Sequence, residues 1–571
     1  MTDIRQTRAD RLHARLAGLG RRTRAFEREP LPPGTGIAER GAQIVAGHFL
    51  FRGYLVEAAE TSVWDLPLPD DPLFEADLHG MAWLDDLAAQ GTRKADVLAR
   101  DWVHDWIARF GRGRGPGWRP DLAGRRVTRW IQHGEMLLDA VPPATRRRFF
   151  RALSRQLTFL SRRQRSLPMA APRLESLMGL LVAGLHLRGA GRHLSRATTG
   201  LAHAAETLID AEGGIANRNP EDLAIVFGHL AAARAALAEA ERPVSQAITD
   251  ALERAAPVLR CLRHADGGLG RFHGGGRGQP GRLDRALAQS GVAASPPGDR
   301  AMGFARLSHV RATVLIDVAA PPEGPGSAEA HASTLAFELT SGRRPVIVSC
   351  GAGRSFGEKW RRAGRATPSH STLALDGYSS ARLGASGDGL LSDAPRDVRM
   401  ERRRSDRSTG LIAGHDGYVA DFGLTHVRQL YLDTNGRALR GEDVLATVEQ
   451  SDEAIFDRAL DATETGHLPF RIRFHLHPDV VVQPGDDPKT VLLLLKSGEL
   501  WTFHHGGAAE MRVEPSVYLD SVSLSPRATS QIVLASSAAD YATRVSWTLA
   551  KARQTPDAVR DTVHDDQPVI A

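Results

Sequence analysis

Two short segments carry the residue types that could do chemistry. In one, His370 begins an alternating segment, SHSTLALDG (369–377), directly after a glycine- and arginine-rich loop (351–366) that no core would need. In the other, EGGIANRNP (212–220) places Asn217 and Arg218 between two strongly helical stretches. Histidine can act as a base, and amide and guanidinium groups can bind a carboxylate. We therefore expect a cleft between a helical and a β domain that takes a long, acidic polymer.

Each candidate also has a purely structural interpretation. His370 can be a strand-end histidine whose hydrogen bonds are satisfied within the fold. Asn217 can cap a helix and Arg218 can be a solvated residue, while Asn219 can itself cap the helix that begins at Pro220. The residues alone leave both interpretations open.

Length and composition bound the class of protein. The chain has 571 residues, of which 42% are hydrophobic and 25% charged, an ordinary globular composition. The length predicts roughly two to four domains. A net charge of +6, from 73 basic and 67 acidic residues, does not indicate nucleic acid, and no nucleic-acid partner is predicted. The arginine excess suits carboxylate or sulfate ligands, but a proteome rich in Ala, Arg and Gly would produce it too.

Cysteines and apolar runs bear on the compartment. Cys261 and Cys350 lie one in each half and match neither a disulfide framework nor a metal cluster. No stretch approaches the roughly 18–20 apolar residues that span a bilayer. The first 29 residues carry arginines throughout and lack the apolar core of a signal peptide, so we expect a cytoplasmic protein.

Hydrophobic periodicity divides the chain into two halves. From about Ile37 to about Pro257, apolar residues recur at helical spacing between breakers, which predicts paired helices in a solenoid or toroid. Past about Gly303 the period changes to two, which predicts antiparallel strands in a sandwich. The expected parts are a basic tail (1–36), a helical domain (37–297) with a linker from about 262, and a β domain (298–571).

Tryptophans of the helical half have two interpretations. Large aromatic residues are most often core residues, and two of these tryptophans lie one helical turn apart, as core residues would. A toroid that binds sugars would instead place some of them on its concave face, where indole stacks on pyranose rings. The six residues are Trp64, Trp83, Trp102, Trp106, Trp118 and Trp130.

An ordered set of segments extends along nearly the whole chain, from about Gly41 to Thr548. Those of the helical half are HGMAWLDDLAAQGTRKA (79–95), GWRPDLAGRRVTRWI (117–131), GGIANRNP (213–220) and HADGGLGRFHGG (264–275). Those of the β half are SHSTLALDG (369–377), HDGY (415–418), THVRQLYL (425–432), FRIRFHLHP (470–478) and SGELWTFHH (497–505). In number and order they resemble the heparinase II/III-like family of polysaccharide lyases. The resemblance implies an α+β multidomain fold, an N-terminal α/α toroid (an incomplete helical barrel) followed by a C-terminal antiparallel β-sandwich, with the site in the cleft between them.

The chemistry that the resemblance implies is β-elimination at a uronic acid of an acidic polysaccharide. A base removes the C5 proton, a donor neutralises the carboxylate, and a general acid protonates the departing glycosidic oxygen. His370 matches the β-domain histidine of the family, and Asn217 and Arg218 lie in the loop that neutralises the carboxylate. The predicted substrate-binding residues are Arg218, Arg365, Trp83 and His264.

The chain departs from the family pattern at two places. Relatives often carry a histidine after the paired glycines, where this chain has Ile215. Characterised lyases of this kind use a tyrosine of the helical domain as acid or base, yet no tyrosine stands between Tyr54 and Tyr378. The remaining candidates for the acid are His273, Tyr378 and Tyr418.

Two other functions stay open. A relative that has lost the acid would bind a glycan, or serve in envelope biogenesis, without cleaving it, and the resemblance makes the cell envelope or periplasm its alternative location. An inverting hydrolase would need two carboxylates across the cleft, for which only Glu212 and Asp266 qualify. A lyase leaves an unsaturated product that absorbs ultraviolet light, and neither a hydrolase nor a binding protein does.

No cofactor is predicted, and the sequence does not indicate an oligomeric state. His475 and His477 alternate onto one face of a strand, a spacing that can ligate zinc. Some relatives carry a structural divalent metal in the β domain, which leaves such an ion open here. A core or surface pair of histidines is the other interpretation.

Overall fold

Helices fill the first half of the chain and antiparallel strands the second, which confirms the predicted fold class. The computed structural model describes residues 6–20, 23–28, 36–51, 54–67, 69, 71–295, 298–384, 389–520, 525–555 and 561. The helices of the first half are α1 (Arg8–Leu16), α2 (Ala38–Val45), α3 (Pro72–Gly80), α4 (Ala82–Gln90), α5 (Arg93–Arg109), α6 (Pro120–Gln132), α7 (Gly134–Leu138), α8 (Pro143–Arg163), α9 (Ala171–His186), α10 (Leu194–Leu208), α11 (Pro220–Glu239), α12 (Gln246–Cys261) and α13 (Arg282–Gln289). Nowhere in the described ranges is a helix both long and apolar enough to cross a bilayer.

The helical half is built around large aromatic side chains. All six tryptophans predicted as core or sugar-stacking residues are buried. Trp83 donates a hydrogen bond to Leu78 O at 3.1 Å, and its ring meets those of Trp64 and Trp102 edge-on. A sugar cannot reach an indole inside a close-packed core. The prediction of Trp83 as a substrate-binding residue is therefore wrong.

The described part of the expected N-terminal tail packs on the helical half. Thr7 caps α1 by accepting a hydrogen bond from Asp10 N at 3.1 Å, and Arg163 at the end of α8 donates to Asp10 Oδ1 at 2.8 Å. Phe26 meets Phe150 edge-on, with 5.4 Å between the ring centroids. These residues share the core of the helical half and are not a loose extension of it.

The strands form a small hairpin, β1 with β2, in the helical half, a short pair, β9 with β10, and two large sheets in the second half. They are β1 (His48–Phe51), β2 (Tyr54–Glu57), β3 (Arg300–Ala301), β4 (Phe304–His309), β5 (Ala312–Asp317), β6 (Phe337–Ser341), β7 (Arg344–Val348), β8 (Leu373–Leu375), β9 (Arg382–Leu383), β10 (Leu391–Ser392), β11 (Val398–Arg404), β12 (Ser408–Tyr418), β13 (Leu424–Asp433), β14 (Ala438–Ala446), β15 (Leu468–Leu476), β16 (Val481–Pro484), β17 (Thr490–Leu494), β18 (Leu500–His505), β19 (Glu510–Tyr518), β20 (Arg527–Ala538) and β21 (Ala542–Lys551). Short helices α14 (Glu358–Gly364), α15 (Val419–Phe422) and α16 (Gln450–Asp461) interrupt them.

The two large sheets share one apolar core, as in a sandwich. The order of the first is β11-β12-β13-β14-β21-β18-β17-β16. The second runs β19-β20-β15-β7-β6-β5-β4-β3, and β8 adds to β15 through the pairs Phe470–Leu375 and Ile472–Leu373. This pairing fixes the loop before β8, and with it His370, beside β15 in the interior of the sheet.

The link between the halves follows α12, the last long helix of the first half. α12 does not end near Pro257 but continues to Cys261 with the proline inside it. The chain then crosses to the sandwich, where the guanidinium of Arg271 donates to the carbonyl oxygens of Ser349, Cys350 and Leu519 at 3.0, 3.1 and 2.7 Å. The linker is thus part of the packing between the halves.

Candidate functional site

Most of the predicted site residues lie where the helical half meets the sandwich. Five buried or half-buried side chains there form a continuous series of contacts, which we call the junction core. Two come from the helical half and its linker, and three from the sandwich. The members of the junction core are Arg218, His273, Asp317, His331 and His370.

Arg218 fastens the loop before α11 to the sandwich. Its guanidinium forms an ion pair with Asp317 and lies over the ring of Phe304, 4.7 Å from the ring centroid. Its backbone is in the left-handed region at φ 52°. The remaining donors bind the carbonyl oxygens of Met302, Gly303, Ala319 and Ala320 at 3.1, 3.0, 3.3 and 2.6 Å. The donors of Arg218 are thus used inside the protein, where the buried Asp317 requires it as a partner, and its substrate-binding role stays a prediction.

Asp317, at the end of β5, is the anionic centre of the junction core. Burial alone would raise the pKa of its carboxyl, but the charge of Arg218 and the contact with His273 hold the pKa down at about 2. Ser333 Oγ also donates to Asp317 Oδ2 at 2.9 Å. The carboxylate is therefore ionised and fully engaged.

His273 is enclosed by protein groups on both ring nitrogens. Nε2 lies 3.3 Å from Asp317 Oδ2, without the alignment of a good hydrogen bond, and Nδ1 accepts from His331 N at 3.2 Å. Burial lowers the pKa of His273 despite the neighbouring carboxylate. In this arrangement His273 cannot protonate a leaving group, which does not match its predicted role as the acid.

His370 lies at the predicted place, directly before β8, but it has no exposed surface. Its ring lies 4.9 Å from that of His331, and Nδ1 is 3.1 Å from Ser349 Oγ. Burial, together with the charges of His475 and His273, lowers the pKa of His370 to about 3, so the imidazole is neutral at pH 7. A neutral imidazole can accept a proton, but no substrate reaches this one in the structure.

The Asn217 loop lies at the edge of the junction core. Asn217 is half-buried and donates to Asp222 Oδ2 at 2.7 Å. Asn219 caps α11 by accepting from Glu221 N and Asp222 N at 2.9 and 3.2 Å. Asn217 is therefore not the cap of α11, and its Oδ1 accepts from Asn219 N at 3.2 Å.

Neither candidate tyrosine joins the junction core. Tyr378 is exposed, meets Phe422 edge-on with 4.6 Å between centroids, and has Arg382 over its ring at 5.6 Å. Tyr418 is buried and donates to Leu373 O at 3.2 Å, and burial raises the pKa of its phenol. Since the first lies beside α15 and the second inside the sandwich, the structure does not bring either to Asn217.

The two other predicted substrate-binding residues hold loops together. Arg365 donates to the carbonyl oxygens of Ala330, Gly389 and Ser327 at 2.8, 2.7 and 2.8 Å, and burial lowers its pKa to about 10. His264 Nε2 lies 3.2 Å from Glu338 Oε2. Both side chains are buried, which excludes contact with a polymer and contradicts their predicted role.

The carboxylate pair of the hydrolase hypothesis is not assembled as a reactive pair. Asp266 accepts from Arg277 at 2.8 Å and from Gly268 N at 2.8 Å, so its oxygens are occupied. Glu212 is exposed in the turn before Gly213.

The histidines of the sandwich do not fit a metal. Within the described ranges, no group of three or more metal-ligating side chains converges. His475 has Ser516 Oγ at 2.8 Å from Nδ1 and Pro368 O at 2.9 Å from Nε2, so both ring nitrogens have partners. His477 faces Tyr518, with 5.0 Å between the rings. The donor set of this strand is that of a hydrogen-bonded core.

Two members of the junction core, Asp317 and His331, were not among the predicted site residues. Asp317 ends β5, a strand in which every residue is buried. A carboxylate at such a position signals a buried partner. His331 lies in an irregular stretch, and its Nε2 accepts from Gly274 N at 3.0 Å, a contact that no local pattern reveals.

The exposed part of the junction is the segment 351–366, which we call the arginine loop. Arg354, Lys359, Trp360 and Arg362 are exposed on it, and 37% of Trp360 is accessible. Arg354 lies 3.9 Å from Glu329. Burial raises the pKa of Asp222, and the nearby charge of Arg354 offsets part of that rise. The arginine loop therefore lies beside the Asn217 loop and presents cations and an indole to solvent.

Comparisons with known proteins agree with this architecture. The sequence pattern of the "Heparinase II/III-like, C-terminal" family matches residues 295–548. FtsZ-localized protein C of Caulobacter vibrioides is 30% identical over 497 residues, which cover 84% of this chain and 82% of that protein.

Solved structures of polysaccharide lyases share the fold. A crystal structure of heparinase III superposes with a TM-score of 0.67 at 13% identity, over 94% of this chain and 88% of that one. The chondroitin AC lyase of Streptomyces coelicolor A3, solved with chondroitin sulphate, gives 0.50 at 12% identity, over 95% and 82%. At such identities the likeness establishes the toroid and sandwich alone. From the relative at 30% identity and the matched C-terminal region, the chain belongs to the heparinase II/III-like family.

Proposed function

We propose that the chain is a binding protein of polysaccharide-lyase fold that does not cleave its ligand. The observation that carries the proposal is the complete burial of His370 beneath the arginine loop. The absence of tyrosine between Tyr54 and Tyr378 supports it, because the relatives' acid then has no counterpart. Arg218, which would neutralise a uronate, is used to hold the halves together.

The ligand that fits the exposed surface is an acidic glycan. Trp360 offers a flat apolar face for a sugar ring, and Arg354, Lys359 and Arg362 offer charge to carboxylate or sulfate groups beside it. The solved relatives act on or are bound to glycans of this class, as their names heparinase III and chondroitin AC lyase state. Binding at this surface needs no base and no acid.

We infer the cellular location of this chain from its relative FtsZ-localized protein C, whose name places that protein with FtsZ. We assign this chain the same location, and with it the compartment in which FtsZ is found. A fluorescent fusion should then coincide with FtsZ in dividing cells.

The test combines cleavage and binding in one panel of acidic polysaccharides. Wild-type protein should release no ultraviolet-absorbing product while a heparinase III control does, and it should retard at least one glycan in affinity electrophoresis. Trp360→Ala should weaken that binding roughly tenfold, since stacking of one ring contributes about 1–2 kcal/mol. Tyr541→Ala, an equally exposed aromatic of the sandwich, is the matched control and should bind as wild type.

Cleavage by β-elimination is the second candidate, and one observation favours it. Nε2 of His370 has no hydrogen-bond partner among the described residues, so it is available as a base if the arginine loop opens. Ultraviolet product that disappears in His370→Ala would establish the lyase and overturn the proposal. Co-localisation with FtsZ without any glycan binding would indicate that the ligand is a protein and not a glycan.

A further inference from the structure

A second basic surface lies on the helical half, apart from the junction core. The end of α8, the start of α9 and one face of α10 enclose a surface cavity of about 500 Å³. The α10 residues recur at spacings of three and four, which places them on one face of that helix. The lining residues are Gln164, Arg165, Arg173, Arg192, Ser195, Arg196, Thr199, Gly200 and His203.

The charges of this cavity are of one sign. Four of its lining side chains are guanidinium groups, and none of its lining residues is acidic. Arg165, Arg173 and Arg196 form no ion pair with any acidic residue of the described ranges. Other arginines of this protein lie beside carboxylates, as Arg163 does beside Asp10. Like charges gathered around one space repel each other, and a bound anion would remove that repulsion.

Two polar groups at the cavity are buried without a partner. Gln164 is only 3% exposed, and its Oε1 accepts no hydrogen bond from a described residue. Nε of Arg173 is likewise buried and unpaired. Since buried polar atoms are almost always satisfied, each of these two can take a water or a ligand atom as its partner. Rotation of the Gln164 amide by half a turn presents its NH2 group to an anion.

Backbone carbonyl oxygens hold two of the four arginines, Arg196 and Arg192. Arg196 donates to Ser161 O at 2.9 Å, and Arg192 donates to Gly189 O. Burial, and then the charges of Arg192 and Arg196, lower the pKa of the adjacent His193 to about 4, as a positive local potential would. The cavity thus has a positive local potential that suits a negatively charged ligand.

The volume of the cavity and the side chains that line it limit which ligands it can bind. The volume lies within the usual range for small-molecule sites and exceeds the need of a single phosphate. Guanidinium forks bind phosphate oxygens in pairs, and the hydroxyls of Ser195 and Thr199 add donors. The lining holds no Trp, Tyr or Phe on which a sugar ring or a base could stack. This distinguishes it from the arginine loop.

We propose that this cavity of the helical half is a binding site for a small molecule that carries a diphosphate group. The diphosphate lies among Arg165, Arg173 and Arg196, with Gln164 beneath it. Free pyrophosphate and the diphosphate end of a nucleotide present the same chemistry. The site is independent of glycan binding at the arginine loop.

Isothermal titration of the full chain with inorganic pyrophosphate tests the site. Wild-type protein should bind pyrophosphate at least tenfold more tightly than orthophosphate, and the affinity should fall as salt rises. The double change Arg173→Gln with Arg196→Gln should lower the affinity a hundredfold, and Gln164→Leu roughly tenfold. Arg147→Gln, an exposed arginine of α8 outside the cavity, should leave it unchanged. A nucleoside diphosphate that binds more tightly than pyrophosphate identifies the nucleotide as the source.

Three outcomes would overturn the site. The first is that orthophosphate binds as tightly as pyrophosphate, and the second is that a sulfated disaccharide binds more tightly than both. The third is that the double variant binds pyrophosphate as tightly as wild type. Each excludes a diphosphate in the cavity. Because the two substituted arginines are at the surface or half-buried, the variants should fold. Their thermal unfolding is measured with and without pyrophosphate. A pyrophosphate-dependent rise in Tm in wild type that persists in the double variant would contradict the proposal as well.

Discussion

At the scale of residues, the polar side chains that a lyase would turn toward its substrate are turned toward each other. Arg218 satisfies Asp317, Asp317 attracts His273, and His331 lies between His273 and His370. Each group is buried, so each needs a partner inside the protein. The contacts of the junction core therefore contribute mainly to the stability of the fold.

This burial predicts how stability depends on pH. The pKa of His370 falls from 6.5 to about 3 on folding, so the unfolded chain binds more protons between these values. Asp317, with a folded pKa of about 2, acts in the same direction below its unfolded pKa of about 4. We expect the free energy of unfolding, from urea titrations, to fall steadily from pH 6.5 to pH 4. His370→Asn should make that fall shallower.

Other buried histidines also have lowered pKa values. In His370→Asn the pH dependence of the free energy of unfolding should therefore become weaker but not disappear. Burial lowers the pKa of His79 and of His229 to about 3 as well. His504→Asn changes an exposed histidine of the sandwich and serves as the control. Identical slopes for wild type and His370→Asn would show that the ring of His370 is open to water.

At the scale of elements, α11 depends on the cap that precedes it. Asn219 Oδ1 accepts from the amides of Glu221 and Asp222, and Pro220 occupies the first turn. Asn219→Ala should lower the free energy of unfolding by about 0.5–2 kcal/mol in denaturant titrations, because two amides lose their acceptor. Asn219→Asp keeps the acceptor and should stay near wild type. Equal losses in both variants would assign the effect to packing and not to the cap.

Periodicity and caps were legible in the sequence because they are local. The change in the spacing of apolar residues from about 3.6 to two predicted the helical half and the β half. The Asn-Pro pair predicted the start of α11 at Pro220. The helical pattern was followed to about Pro257, and α12 continues to Cys261 because that proline is tolerated within the helix. A proline there removes one backbone donor but does not stop the remaining turns.

The junction core could not be predicted because its partners are far apart in sequence. Arg218 and Asp317 are separated by 99 residues, and His273 and His331 by 58. The glycines around these residues also depend on contacts that are distant in sequence. A Cβ on Gly213 would lie 2.1 Å from Arg254 O, and one on Gly275 would lie 2.4 Å from Asn219 Oδ1. Both glycines serve close packing within the protein and not the approach of a ligand.

At the scale of the whole molecule, the linker makes the halves interdependent. Arg271 reaches three carbonyl oxygens of the sandwich and lies over Tyr518 at 4.0 Å. We expect one calorimetric unfolding transition in wild type. Arg271→Ala should split it into two, because the carbonyl oxygens lose their donor at the contact between the halves.

The matched control for this prediction is Arg512→Ala, on the exposed strand β19. Its guanidinium pairs with Glu510 at the surface, where an ion pair contributes little. Arg512→Ala should keep a single transition near the wild-type Tm. Two transitions already present in wild type would show that the halves unfold separately whatever Arg271 does.

The fastening of Arg218 to the sandwich also bears on how this lineage can change over time. A variant with a tyrosine introduced into the helical half would still have Arg218 held in the ion pair with Asp317. Substituting Arg218 would leave a buried carboxylate without a partner, a loss of about 3–5 kcal/mol of stability. Single substitutions at Arg218 are therefore expected to be removed by selection for folding, whatever their effect on ligand binding. The ion pair thus limits which sequences this loop can explore, and a change there requires a matching change at Asp317.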